Sequence, residues 1–209
     1  MCETPKSSRH LSVSSSSTSN EEFKTVSISA TNTPKVLGNM TGMHRIVRDC
    51  VADIYNAVQQ WNKHFLHGVE ILGEIKNIKF DTLDSNEIYS ESLQEYCQTL
   101  EGVLKSMSSI VNLLSSYLNT MEGLSKLLAS EKEILFSTWS FDTFIQTAQF
   151  VLNSYQKEFQ LKTYIKEHIA HCKDKNSVAF YFIIWVNEAY IGDDLIVQLE
   201  AMLVETGHR

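Results

Sequence analysis

Proline is nearly absent from this chain. Among 209 residues there are two, Pro5 and Pro34, and none follows Pro34. An interior proline costs a helix about 3 kcal/mol, so such avoidance suits long helices. The eight glycines form neither a phosphate loop nor a dinucleotide-binding fingerprint, and no Gly-x-Ser-x-Gly elbow occurs. The four cysteines, Cys2, Cys50, Cys97 and Cys172, include no Cys-x-x-Cys pair. The serine-rich N-terminus lacks the apolar segment of a secretory signal, so reduced thiols in a cytosolic or nuclear protein are the better expectation. The longest apolar run, Val178 to Val186, has nine residues, too few to span a bilayer. The net charge is −7 and no window gathers Lys and Arg, which speaks against direct binding of nucleic acid or anionic membrane.

What the chain does have is heptads. Leu93, Tyr96, Leu100, Val103, Met107, Ile110, Leu114, Tyr117, Met121, Leu124 and Leu128 recur at alternating intervals of three and four. That spacing predicts a helix over about 87–128 with an apolar seam, Leu93 to Leu128, roughly 54 Å long. Leu104, Val111 and Leu118 widen the seam on one side, and Leu113 and Leu127 on the other. A stripe this wide suits packing against two or more helices. A rod of this length should also leave part of its surface for something else. Ser106, Ser108, Ser109, Ser115 and Ser116 replace the usual Glu and Lys on the remaining faces. Such a face permits close approach by another protein, or is simply solvated; both readings stay open.

Taken in order, residues 1–39 read as a disordered Ser-rich tail, because Ser12 to Ser19 cannot bury enough apolar area to offset ordering entropy. Thr4-Pro5-Lys6 and Thr33-Pro34-Lys35 match proline-directed kinase sites. Thr33 is the candidate phosphorylation site, since a phosphate there would sit close to a helix N-terminus. A first long helix is predicted over about 43–80, with Val47, Val51, Ile54, Val58, Trp61, Phe65, Gly68, Leu72 and Ile75 on its seam. Gly68 leaves room there for a bulky side chain. Asp81 to Asn86 reads as a turn in which Asp84 caps the next helix, with Glu87 at the capping-box position. Residues 40–130 should therefore form a long antiparallel helical hairpin, coiled-coil-like.

Residues 131–209 read as a C-terminal helical module. Ser130 to Ser140 is a connector carrying Phe136 and Trp139. Ser140 caps a third helix to about Cys172, whose apolar stripe is interrupted at Lys162. Asp174 or Ser177 begins a shorter helix through Asn187; its aromatic and β-branched content would also suit a strand. Asp193 should cap a last helix that Gly207 terminates. Leu199, Met202 and Leu203 lie on one face of it, which argues that 195–209 packs on the third helix or on a partner. Internal docking is the favoured form, with His208 and Arg209 at its edge for contact. Trp139 and Trp185 read as core anchors, and large aromatics also anchor interfaces. The fold class is thus all-α.

Residues for chemistry are few. His168, His171 and Cys172 share a helix face at i, i+3 and i+4, but no second pair at metal spacing accompanies them, and His also suits a helix C-terminus. His64 and His67 read as exposed helix residues. No catalytic, cofactor-binding or metal-binding set can be assigned, and no enzyme is expected.

Several segments resemble the cyclin-dependent kinase 2-interacting protein family. They are Phe136-Ser137-Thr138-Trp139, Tyr155 to Lys162, His168-Ile169-Ala170-His171 and above all the ending Leu199 to Arg209. Thr33-Pro34-Lys35 with Val36-Leu37 is similar to the segment that precedes the family's first helix. The resemblance implies a nuclear, non-enzymatic adaptor, with the cytoplasm also open to it. It implies partners among replication kinases, the ATR-interacting checkpoint protein and AAA ATPases. It further implies roles in origin firing, checkpoint signalling, ribosomal large-subunit biogenesis and replisome turnover. The alternative from the residues alone is a self-assembling structural coiled-coil protein, whose wide seam closes a homodimeric bundle.

Overall fold

The computed structural model describes residues 42–85, 91–126 and 134–209. The serine-rich tail with Thr33, residues 86–90 with Asn86 and Glu87, and residues 127–133 lie outside the described residues. The fold is all-α, with α1 Met43–Ser85, α2 Glu91–Ser125, α3 Phe141–Ile169, α4 Lys175–Asn187 and α5 Asp193–Glu205. Outside the helices, one isolated bridge joins Ile134 to Ser140.

The heptads decide what meets what. Val47, Val51, Ile54, Val58, Trp61, Leu72 and Ile75 of α1 are buried, and so are Leu93, Leu100, Val103, Met107, Ile110, Leu114 and Met121 of α2. The flanking Leu104, Val111 and Leu118 are buried as well. The seam of α2 is covered within the chain, on one side by α1 and on the other by α3, but Leu113 lies outside it, 41% exposed. Side chains of all five helices join one continuous core.

The fourth side of the bundle is closed by two short helices. α4 and α5 both pack on α1 and on α3. Lys175, at the start of α4, reaches Asp84 near the end of α1, whereas Trp185 lies against Gly68. Beyond α5, His208 meets Arg48, and Arg209 meets Tyr55. α4 and α5 therefore follow one another down the α1–α3 groove, antiparallel to α1. The architecture is an up-down-up-down four-helix bundle whose fourth column is broken in the middle.

Helix ends correct three boundary expectations. Asp81 to Ser85 is not a turn but the last turn of α1, and Asp84 is not a cap. The hydroxyl of Thr82 donates to the Lys79 carbonyl at 3.1 Å, and that of Ser85 to Asp81 at 3.1 Å, so turn-forming residues bond back onto the helix. Lys175 holds the same turn through Asp84 at 2.6 Å. α3 ends at Ile169 rather than near Cys172, with Ala170 as its C-cap. The N-cap of α5 is Gly192, and Asp193 is its first helical residue. Ser140 and Asp174 do cap α3 and α4, accepting from the backbone N–H groups of Thr143 and Ser177. Gly207, at φ +70°, ends α5: His208 N–H donates to the Leu203 carbonyl and Gly207 N–H to Val204, the paired bonds of a Schellman stop.

Candidate interaction surface

The break between α4 and α5 has to satisfy backbone groups in the interior. Lys162 of α3 does much of this. Its ammonium donates to the Trp185 carbonyl, in the last turn of α4, at 3.0 Å. Glu158, one turn earlier, accepts from the Tyr190 backbone N–H at 3.0 Å and pairs with Lys162 at 3.0 Å. Glu188 sits in the left-handed region at φ +42°, an uncommon place for a residue with a side chain. Its carboxylate is anchored by the Trp61 indole N–H at 2.9 Å and by Lys162 at 3.7 Å. The ammonium also lies over the rings of Phe65 and Trp185, at 4.7 Å and 4.6 Å.

One ammonium thus faces two carboxylates. Burial pulls the Lys162 pKa down, against the opposing pull of Glu188 and Glu158. Burial pushes Glu188 up, with Lys162 and Trp61 working the other way. The side chains of Lys162 and Glu158 are both 0% exposed. This cluster holds the break together, with Lys162 and Glu158 out of reach of solvent. The sequence pattern treats Lys162 as a gap in a stripe; the signal that could have found it is Glu158 at i−4, which matches an ion pair along one helix.

Several other titratable groups serve the structure. Burial, with help from Asp53 and Asp49, pushes the Cys50 thiol up to about 11, so it stays protonated. Burial raises Cys97 and Cys172 too. His168 turns Nδ1 to the Tyr164 carbonyl at 2.7 Å and stacks on the Tyr164 ring, while Cys172 points to the His168 carbonyl. His67 is exposed beside Glu70, and His64 is half-buried. Among the described residues no group of three or more His, Cys, Asp or Glu side chains is arranged to hold a metal ion.

The distinctive surface is the outside of the fourth column. α4 is apolar all round, yet only Val178 and Trp185 are fully buried. A helix of that kind is normally buried on every side. Here Phe180 is 60% exposed and Ile183 56%. The outer side of α5 continues the ridge with Val197 at 65% and Val204 at 59%, and Tyr190 stands exposed between them. Of the twelve large apolar side chains exposed among the described residues, seven lie between Phe180 and Val204. More than half of these exposed side chains therefore belong to the fourth column, a concentration that suits a docking surface. α2 presents the opposite character. Thr99, Ser106, Ser109 and Thr120 turn their hydroxyls back to the carbonyls four residues before them.

The C-terminal residues singled out from the sequence fall on the inner side of this column. Leu199, Met202 and Leu203 are buried against α1 and α3. Trp139 is half-buried with its ring tilted on Phe144 at 5.1 Å. His208 is not at a free edge: its Nε2 donates to the Arg48 carbonyl at 3.0 Å, and burial lowers its pKa. Arg209 is exposed but engaged, donating to the Tyr55 hydroxyl at 2.7 Å and pairing with Glu200. Glu205 ties the end of α5 to the connector, accepting from the Thr138 backbone N–H at 2.9 Å and from its hydroxyl.

Fold and surface together define an all-helical bundle with one apolar outer face and no assembled reacting groups among the described residues. No protein-family model matches the chain. It is similar to the cyclin-dependent kinase 2-interacting protein of Homo sapiens, 26% identical over 190 residues, covering 79% of this chain and 90% of that protein. The same protein of Mus musculus matches at 26% with the same coverage, and that of Xenopus laevis at 26% over 185 residues. The similarity is distant but consistent, since each of these matches carries the same name. These relatives are named for an interaction and not for a reaction. No helix among the described residues is long and apolar enough to cross a membrane.

Proposed function

We propose that this chain is a non-enzymatic adaptor subunit that binds other proteins. The observation that carries the reading is the apolar ridge of α4 and α5, left over after the core is complete, in a chain similar to proteins named for binding a cyclin-dependent kinase. In its finer form the adaptor works in the nucleus. It links replication kinases in origin firing, meets the ATR-interacting protein in checkpoint signalling, and joins an AAA ATPase assembly in ribosomal large-subunit biogenesis and replisome turnover. Thr33, in its Thr-Pro-Lys setting, is the proposed phosphorylation site through which dividing cells adjust partner binding.

Affinity purification of the tagged chain from nuclear extract tests this. Recovery of replication kinases or AAA ATPases is expected; recovery of neither overturns the reading. The self-assembling alternative draws less support, because the seam that would close a homodimeric bundle is covered by α1 and α3 of the same chain.

A further inference from the structure

Building on the adaptor reading, we propose that the outer ridge of α4 and α5 docks a basic amphipathic helix of a partner protein. The apolar half of the match is the ridge itself. From Phe180 to Val204 it extends about 36 Å, enough for a helix of roughly 24 residues laid along it. At one helix diameter in width it offers on the order of 400 Å² per partner, the low end for a specific contact, which suits a reversible one. Apolar anchors at i, i+3, i+4 and i+7 are how a helix reads such a surface.

The charge of the partner follows from what flanks the ridge. α5 carries Asp193, Asp194, Glu200 and Glu205 and no basic residue. Glu200 is taken by Arg209, and Glu205 by Thr138 and Trp139. Asp193 and Asp194 are exposed at the break, between the two apolar halves. α4 contains no carboxylate, and its single base, Lys175, is paired with Asp84. Lys157 of α3, over the Tyr190 ring, and Lys76 of α1, over the Phe182 ring, offset part of the negative charge. The balance stays acidic, in a chain of net charge −7. A partner helix with Lys or Arg beside its apolar stripe complements it. A second copy of this chain does not. A twofold axis at the break would bring Asp193 and Asp194 of both copies together, and two chains of the same negative sign repel.

The test uses the full chain and two designed amphipathic peptides of about 20 residues, labelled for fluorescence anisotropy. Both carry the same leucine stripe; one is flanked by Lys, its twin by Glu. The Lys peptide should bind, with the Glu twin weaker by about tenfold or more. Ile183→Ser and Val197→Ser, both at exposed positions, should each weaken the Lys peptide by about fivefold at an unchanged melting temperature. Should Ile183→Ser unfold the chain, Val197→Ser carries the same readout. Asp194→Asn should weaken binding and flatten its dependence on salt. Equal binding of the twins, or binding untouched by both serine variants, overturns the proposal. So does a dimer seen by light scattering that Ile183→Ser dissociates. Nuclear partners captured equally by the wild-type and Ile183→Ser chains would overturn the ridge while leaving the adaptor reading in place.

Discussion

Trp185 of α4 and Gly68 of α1 are packed so closely that a Cβ placed on Gly68 would lie 2.5 Å from Cζ2 of the indole. The bulky side chain that the glycine admits belongs to the chain's own fourth column. Ordinarily, Gly→Ala inside a helix gains about 0.5–1 kcal/mol. Here the added methyl must displace a fully buried tryptophan, and overpacking costs about 1–3 kcal/mol. Gly68→Ala should therefore lower stability in urea denaturation, whereas Gly102→Ala, with nothing within 4 Å of its added Cβ, should raise it.

Lys162 offers a sharper contrast. Replacing it with Met keeps the stem and removes the charge, leaving Glu158 and Glu188 buried without their cation. Breaking a buried pair in this way costs about 3–5 kcal/mol. The deficit should depend on pH. Burial already raises the Glu188 pKa, and loss of the neighbouring ammonium raises it further. A carboxyl raised in the folded state gives stability that is complete below its unfolded pKa and is lost as pH rises through the folded one. Denaturation of Lys162→Met should show a larger deficit at about pH 7 than at about pH 5.

His208 gives a slope of opposite sign. Burial lowers its pKa below the ordinary 6.5, although the Arg48 carbonyl favours the proton. A group whose folded pKa is depressed gives stability that is present above the unfolded pKa and lost as pH falls through the folded value. As pH falls below 6.5, the wild type should lose stability that His208→Gln retains, with the two curves running parallel above it. Melting curves of the pair across that range check this.

The inner and outer sides of α5 should respond differently to the same change. Leu199→Ala empties a buried position and should cost about 2–5 kcal/mol. Val197→Ala, on the ridge, should stay within about 0.5 kcal/mol. Equal losses in urea denaturation would mean that the ridge is part of the core.

Thr33 should carry phosphate in replicating cells. Phosphopeptide mapping should find it modified, and Thr33→Ala should alter partner recovery modestly without shifting the melting temperature.

How far the fold could be read in advance depended on periodicity. α1, α2 and α3 each repeat their apolar residues at helical spacing over many turns, and Ser140 and Asp174 mark starts with side chains that cap. α4 could be recognised as a helix but not oriented, because a segment apolar on every side, from Val178 to Val186, carries no direction. The ridge was hidden for the same reason: Phe180 and Ile183 look like Val178 and Trp185 until their neighbours are in place. Asp81 to Ser85 misleads because the hydroxyls and carboxylates that favour turns also bond back to a helix or pair with a lysine 91 residues away. The meeting of Lys162 with Glu188 depends on a left-handed residue that no spacing announces.

The broken fourth column also settles alignment. An unbroken amphipathic helix can slide along its groove by one turn, about 5.4 Å, and still bury much the same apolar surface. The column of α4 and α5 has no such freedom. Displaced by a turn, the Trp185 carbonyl would leave Lys162, Tyr190 would leave Glu158, and the indole would lose the one glycine that gives it room. Each loss strands a buried polar group or creates a clash, so neighbouring alignments are excluded rather than merely disfavoured. The interruption works as an index mark, holding Phe180, Ile183, Val197 and Val204 at one fixed place along the bundle.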